Sequence, residues 1–202
     1  MNQIEKALNL KKQTIVAGVD EVGRGPLAGP VVAACVVLPP GYNLKEIKDS
    51  KQLSVKKREA LAKIIKKEAL AYAIVAISVR DIDKLNIYQA TKKAMTKAIK
   101  LVAKKIAVEH VLIDAVSLNL DIDSTVIIKG DQKSISIAAA SIIAKVYRDG
   151  LMMKIDQKYP QYEFKNHKGY ATKRHLELIK KYGVVACHRC SFKPVKEALD
   201  ES

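Results

Sequence analysis

The sequence predicts an α/β domain followed by a helical C-terminal lobe, and three observations carry that expectation. Short apolar runs rich in β-branched residues recur at 15–19, 31–38, 72–79, 110–114 and 125–128, bounded by glycine, proline or charged residues. Between them, lysine-rich segments repeat apolar residues at helical spacing. From Leu151 to Lys193 the texture changes: ten lysines and arginines face three acidic residues, and three of the chain's four histidines fall there. The division is placed on that change, at 1–150 and 151–202.

The first run ends in two adjacent carboxylates, Asp20 and Glu21, and a turn rich in glycine and proline, GRGPLAGP, separates it from the second run. The glycines do not make a phosphate loop, because no Gly-Lys-Ser/Thr closes it. A dinucleotide fingerprint requires a helix after the turn, and Pro26 and Pro30 argue against one. A tight turn between two core strands explains the glycines but leaves the acids unexplained. Carboxylates beside apolar β-branched residues must be solvated, paired or bound to metal.

Farther along, Ser54 is placed to cap a helix in which Leu61, Ile64, Ile65 and Ala69 share a face. Asp81 begins a helical connection, and a helix over 86–107 sets Met95, Ala98, Ile99, Val102 and Ile106 on one side. Its lysines at 92, 93, 97, 100, 104 and 105 read as a solvated surface. The run at 110–114 ends in Asp114, and the run at 125–128 leads to Asp131. Three strand candidates thus deliver a carboxylate at or near their ends, where ligands gather in α/β sheets. Carboxylates that converge repel one another unless neutralised, and oxygen-only ligand sets suit Mg²⁺ or Mn²⁺.

Other readings stay open for individual acids. Asp131 serves equally as a helix N-cap for the segment 134–145. Asp121 and Asp123 read as solvated turn residues, and Asp149, beside Arg148 on a helix over 137–154, as one member of a surface pair. Neighbours on a regular strand point to opposite faces, so Asp20 and Glu21 share a site only if glycines 18 and 23 mark a bulge or a strand end. Otherwise Glu21 acts in an outer shell or through its backbone carbonyl.

Bulk properties narrow the class. The 36 lysines and arginines against 21 acidic residues give a formal charge of +15, which favours a polyanionic partner. Membrane insertion is not expected, since no apolar run approaches ~20 residues. The opening MNQIEKALNLKKQ has no signal-peptide apolar core, so the expected compartment is the cytoplasm. Cys35, Cys187 and Cys190 are an odd set without a second ligand pair, and read as unremarkable thiols.

The string GVDEVGRGPLAGPVVAA resembles the opening signature of type 2 ribonucleases H, the bacterial ribonuclease HII group. Asp49-Ser50-Lys51, Asn86-Ile87, SIAAASIIAKV-x-RD at 136–149, the block at 166–172 and HR-x-SF at 188–192 resemble later family segments. The resemblance implies a ribonuclease H-like domain with a mixed five-stranded sheet. It also implies an endonuclease that cuts the RNA strand of RNA–DNA hybrids, and cuts 5′ of single ribonucleotides in duplex DNA, leaving 3′-hydroxyl and 5′-phosphate ends. Two Mg²⁺ or Mn²⁺ ions would be held by Asp20, Glu21, Asp114 and Asp131, the catalytic acids. Gly23, Arg24 and Gly25 would read the 2′-hydroxyl, chiefly through backbone groups, and Tyr170 would stack on the nucleotide. Lys51, Ser141, Lys145, Arg148, Lys168 and Arg189 complete the implied substrate contacts, with packing still open for Ser141 and ordinary ion pairs for Lys145 and Arg148. The chain is expected to act as a monomer.

Three departures from the family pattern stand out, one of them Ala171 in place of a small residue. Ala115 occupies a position where glycine is expected, and His167 is inserted between Asn166 and Lys168. Two other classes remain as alternatives: a noncatalytic nucleic-acid-binding protein, and a phosphotransferase or phosphatase using the same acids.

Overall fold

The computed structural model describes residues 4, 13–42, 47 and 54–200. A mixed five-stranded sheet forms its centre, as expected, with strand order β3-β2-β1-β4-β5. The strands are β1 (Val16–Val22), β2 (Val31–Val37), β3 (Ala71–Ile77), β4 (His110–Asp114) and β5 (Ser124–Ile127). β1, β2 and β3 pair antiparallel, whereas β4 and β5 run parallel to β1. The β1–β2 ladder is unbroken from Ala17↔Val37 to Val22↔Val32, so Asp20 and Glu21 lie in regular strand with no bulge toward β2.

Both faces of the sheet are covered, which explains why β2 is buried at every position and reads as a continuous apolar run. On one face lie α1 (Val55–Glu68) and α5 (Ile135–Lys158); on the other lies α3 (Ile87–Ala103), preceded by α2 (Val79–Leu85). Ser54 caps α1 by accepting from the Lys57 N–H, and Asn86 caps α3 by accepting from Gln89. The helix expected over 86–107 ends at Ala103, four residues early.

α5 is the central helix. Its small residues let it approach the sheet closely: a Cβ on Gly18 of β1 would stand 2.1 Å from the backbone carbon of Ser136. Ser134 caps it, accepting from Ile137, so the capping role open to Asp131 belongs to Ser134 instead. Asp131 lies inside the preceding short helix α4 (Gly130–Lys133). At 24 residues α5 is long, and it runs unbroken through the 150/151 division.

Beyond it come a 3₁₀ turn (Pro160–Tyr162), α6 (Phe164–His167), α7 (Lys173–Tyr182) and α8 (Lys193–Asp200). Their apolar residues form a third core with Leu27 and Ala28 of the β1–β2 connection and Met152 of α5.

The unexpected Ala115 has φ +47°, in the left-handed region. Such a conformation costs an L-residue about 1–2 kcal/mol, against roughly 0.5–1 kcal/mol of extra chain entropy for glycine. Ala115→Gly should therefore stabilise the protein by about 0.5–1 kcal/mol in urea unfolding. An unchanged or lower midpoint would show that the strain is relieved elsewhere.

Candidate active site at the ends of β1 and β4

The register of the parallel pair builds the site. Val19 sits opposite Ile113, so the next residues, Asp20 and Asp114, emerge side by side where β4 ends. Alternation places Asp20 on the α5 side, and the Ser141 hydroxyl of α5 donates to its carboxylate. The Glu21 N–H donates to Asp20 Oδ1 at 2.7 Å. Asp114 Oδ1 accepts from the Gly130 N–H at 2.7 Å, tying the start of α4, and so the backbone next to buried Asp131, to the end of β4.

Glu21 sits on the opposite face of β1, as strand alternation requires. Its Oε1 pairs with Arg24 at 3.3 Å, while Oε2 is buried and accepts no hydrogen bond. Although the two side chains leave β1 on opposite faces, both feel Asp114. Burial pushes Asp20 well above the usual carboxylate range, and the charges of Glu21 and Asp114 push it further. Burial also raises Glu21, opposed by Arg24 and assisted by Asp114.

This donor set is oxygen only, desolvated and mutually repelling, and it contains an orphan oxygen. Its chemistry fits a hard divalent cation. Among the described residues, no three carboxylate, histidine or cysteine side chains yet surround one point at ligand spacing. A bound cation would therefore have to draw the carboxylates together.

Above the acids lies the connection from Gly23 to Pro30. Gly23 has φ +92°, and a Cβ there would fall 2.1 Å from Arg148 Nε, so packing alone demands glycine at this position. Gly25 is different: a Cβ there would meet only the Tyr170 ring, at 3.8 Å. The exposed Arg24–Gly25 edge thus lies beside the Tyr170 ring, 42% exposed, close enough that a side chain on Gly25 would touch it.

Tyr170 is held from behind by a chain of histidines that sequence reasoning did not assign. Val185 N–H donates to His188 Nδ1, so the proton of neutral His188 sits on Nε2 and donates to His175 Nε2 at 3.1 Å. His175 in turn donates from Nδ1 to the Tyr170 carbonyl at 2.9 Å. Burial pulls both rings down to about 4, which keeps them neutral at ordinary pH. His167, the inserted residue, stacks on His175 and accepts from the Gly169 N–H. The clustering of three histidines in the lobe was the visible signal.

Several expected substrate contacts are placed differently. Arg148 and Arg189 are 0% exposed and spend their N–H groups on main-chain carbonyls. Ser141 turns to Asp20 rather than outward. Lys145 pairs with Asp149 at 2.7 Å, one turn apart on α5, as the surface pair expected for that acid. Lys168 donates to the Lys165 carbonyl. Lys51, with Asp49 and Ser50, lies outside the described residues. Cys35, Cys187 and Cys190 are free, and burial pushes Cys187 up to about 12.

Comparison with known proteins gives one consistent result. The family model described as Ribonuclease HII matches residues 17–195. The chain is 50% identical over 197 residues to the ribonuclease HII of Shouchella clausii, covering 98% of this chain and 75% of that protein. Among solved structures it resembles the ribonuclease H2 of Pyrococcus horikoshii, with TM-score 0.79, 27% identity, and 92% and 97% of the two chains covered. It also shares the fold of Bst-RNase HIII, solved in complex with Mn²⁺, with TM-score 0.71, 19% identity, and 96% and 72% covered.

The raised carboxylates make a prediction about the metal-free protein. A carboxyl whose folded pKa lies above its unfolded value binds protons more tightly when folded, so stability falls as pH rises from about 4 upward. Asp20→Asn removes that penalty. The variant should melt several degrees higher than the parent at pH 8 without divalent cation, and the two should converge toward pH 4. Saturating Mn²⁺, at about 100 times its dissociation constant, should then add about 2.7 kcal/mol to the parent and far less to Asp20→Asn. Equal melting of the two proteins at pH 8 would mean that the carboxylates do not repel.

Proposed function

The chain belongs to the ribonuclease HII family, and from that premise we propose that it cuts the RNA strand of RNA–DNA hybrids and nicks duplex DNA 5′ of single embedded ribonucleotides. Family membership makes it a metal-dependent endonuclease of ribonuclease H type and disposes of the noncatalytic and phosphotransferase alternatives. The observation that carries the finer reading is the juxtaposition of repelling acids near the β1 and β4 ends with the exposed Arg24–Gly25 backbone beside the Tyr170 ring.

Asp20, Glu21, Asp114 and Asp131 would hold two Mg²⁺ or Mn²⁺ ions. Such ions supply an activated water and stabilise a leaving oxygen, which suits cleavage to 3′-hydroxyl and 5′-phosphate ends. The residues of the chain do the positioning. Ser141 and the Glu21 N–H orient the Asp20 carboxylate, and the Gly130 N–H orients Asp114. The exposed Arg24–Gly25 backbone approaches the ribose, where a 2′-hydroxyl both donates and accepts. Gly25 lacks a side chain although no protein neighbour forbids one, which would leave its backbone open to a sugar. Arg24, exposed and bound to Glu21, can turn to the adjacent phosphate. Tyr170 offers its ring face to the next nucleotide.

The lobe from 151 onward, with its excess of basic residues, would grip the flanking phosphates. The protein would act as a monomer in the cytoplasm. No helix among the described residues is long and apolar enough to cross a membrane.

The test is cleavage of a duplex carrying one ribonucleotide, alongside a hybrid and an all-DNA duplex. Asp20→Asn and Asp114→Asn should each lose about 100- to 1,000-fold in rate while still binding the duplex. Gly25→Val should lose about tenfold or more at the lone ribonucleotide, with its Mn²⁺-induced stabilisation unchanged. Parent-rate cleavage by Gly25→Val together with Tyr170→Ala would remove the ribose-reading role from this loop.

A further inference from the structure

Two of the largest fully buried side chains are arginines, Arg148 of α5 and Arg189 after α7. Among the described residues neither forms an ion pair, although removing a cation from water is costly without a counter-charge. Burial and the neighbouring Arg148 charge pull Arg189 down to about 9, which leaves it cationic at neutral pH. Backbone dipoles take the place of carboxylates. Arg148 donates to the carbonyls of Ala28 (3.1 Å), Pro30 (3.0 Å) and Lys168 (3.1 Å). Arg189 donates to Gly23 (2.6 Å), Arg24 (2.9 Å) and Gly29 (3.0 Å).

A glycine- and proline-rich turn between two paired strands closes without such help. What the arginines add is direction. In a trans peptide the C=O and the following N–H point to opposite sides. The Gly23 and Arg24 carbonyls are turned inward onto Arg189, so the N–H groups of Arg24 and Gly25 are turned outward, on the two exposed residues of the loop. Neither N–H has a backbone acceptor among the described residues. The Arg148 bond to Lys168 and the Leu27 N–H bond to the Gly169 carbonyl (2.7 Å) fix the segment carrying Tyr170 to the same frame.

We propose that Arg148 and Arg189 form a buried brace that positions the outward N–H groups of Arg24 and Gly25, opposite Tyr170, to receive the hydroxyl oxygen of a ribose at the cleavage site. Both are positioning residues. The inference rests on the ribose-reading role given above to this loop. The brace presets the donors before substrate arrives, so its loss falls on the rate of the bound complex rather than on substrate affinity.

Lysine preserves the charge but cannot span three carbonyls with one nitrogen, so Arg189→Lys isolates geometry from charge. For a duplex with one ribonucleotide, single-turnover rate should fall about 10- to 100-fold with KM within about twofold of the parent. Hydrogen exchange across 23–30 should accelerate while the Mn²⁺-induced rise in melting temperature stays at the parent value. Free guanidinium added to Arg189→Ala should restore part of the rate without speeding the parent. A folded Arg189→Lys cleaving at the parent rate overturns the proposal, as does a loss confined to KM. If Arg189→Lys melts below the assay temperature, Arg148→Lys carries the same test. Failure of both to fold overturns the proposal in favour of a structural role. A parent enzyme inactive on hybrid and ribonucleotide duplex alike refutes the function itself, a result separate from any of these.

Discussion

Two negative charges held side by side at the edge of a hydrophobic layer set the terms for this molecule. The parallel register of β1 and β4 sets Asp20 and Asp114 on neighbouring strands, about 5 Å apart in backbone, and the packing of α5 on β1 removes water that would screen them. The surrounding polar groups answer that strain. Ser141, the Glu21 N–H and the Gly130 N–H each donate to a carboxylate, and Arg24 caps Glu21. None of these contacts supplies a full positive charge to Asp20. The fold thus builds a deficit that a cation can fill, and so couples metal binding to its own stability.

The strands were legible because periodicity and punctuation agree there. All five candidate runs became strands within three residues of the expected bounds, and the acids at or near two strand ends stood out because nothing in a core explains them. The order β3-β2-β1-β4-β5 was not legible from the residues themselves. It depends on which helix covers which face, and similar apolar stripes serve either side. α3 ends early in a tightened turn, the Lys105 N–H donating to the Val102 carbonyl three residues back, while Ile106 still packs on the same core from outside the helix.

Within the site the burial of two arginines was not legible. An arginine near a nucleic-acid motif reads as a phosphate contact because arginines are rarely buried without a partner. Arg148 and Arg189 break that rule by using carbonyl groups, and sequence carries no mark of which carbonyls a loop will turn inward. The glycines at 23 and 25 look equivalent in sequence, yet only the first is required by its neighbours. Ala115, by contrast, was noticed from the family pattern as a departure, and its positive φ gives the physical reason glycine suits that position.

The two parts divided at 150/151 are one mechanical body. α5 runs through the boundary, and the third core takes Leu27 and Ala28 from the strand connection and Met152 from α5. Backbone bonds bind the same connection to the lobe: Leu27 N–H to Gly169, Gly29 N–H to Cys187, and Arg189 N–H to Leu27. The segment 23–30 is therefore both the edge of the carboxylate site and the seat of the lobe. A shift of the lobe would displace Gly25 and Tyr170 together, keeping their spacing while moving both relative to Asp20 and Asp114. The two buried arginines oppose that motion, since Arg189 holds the segment from the lobe and Arg148 from α5, which spans the division.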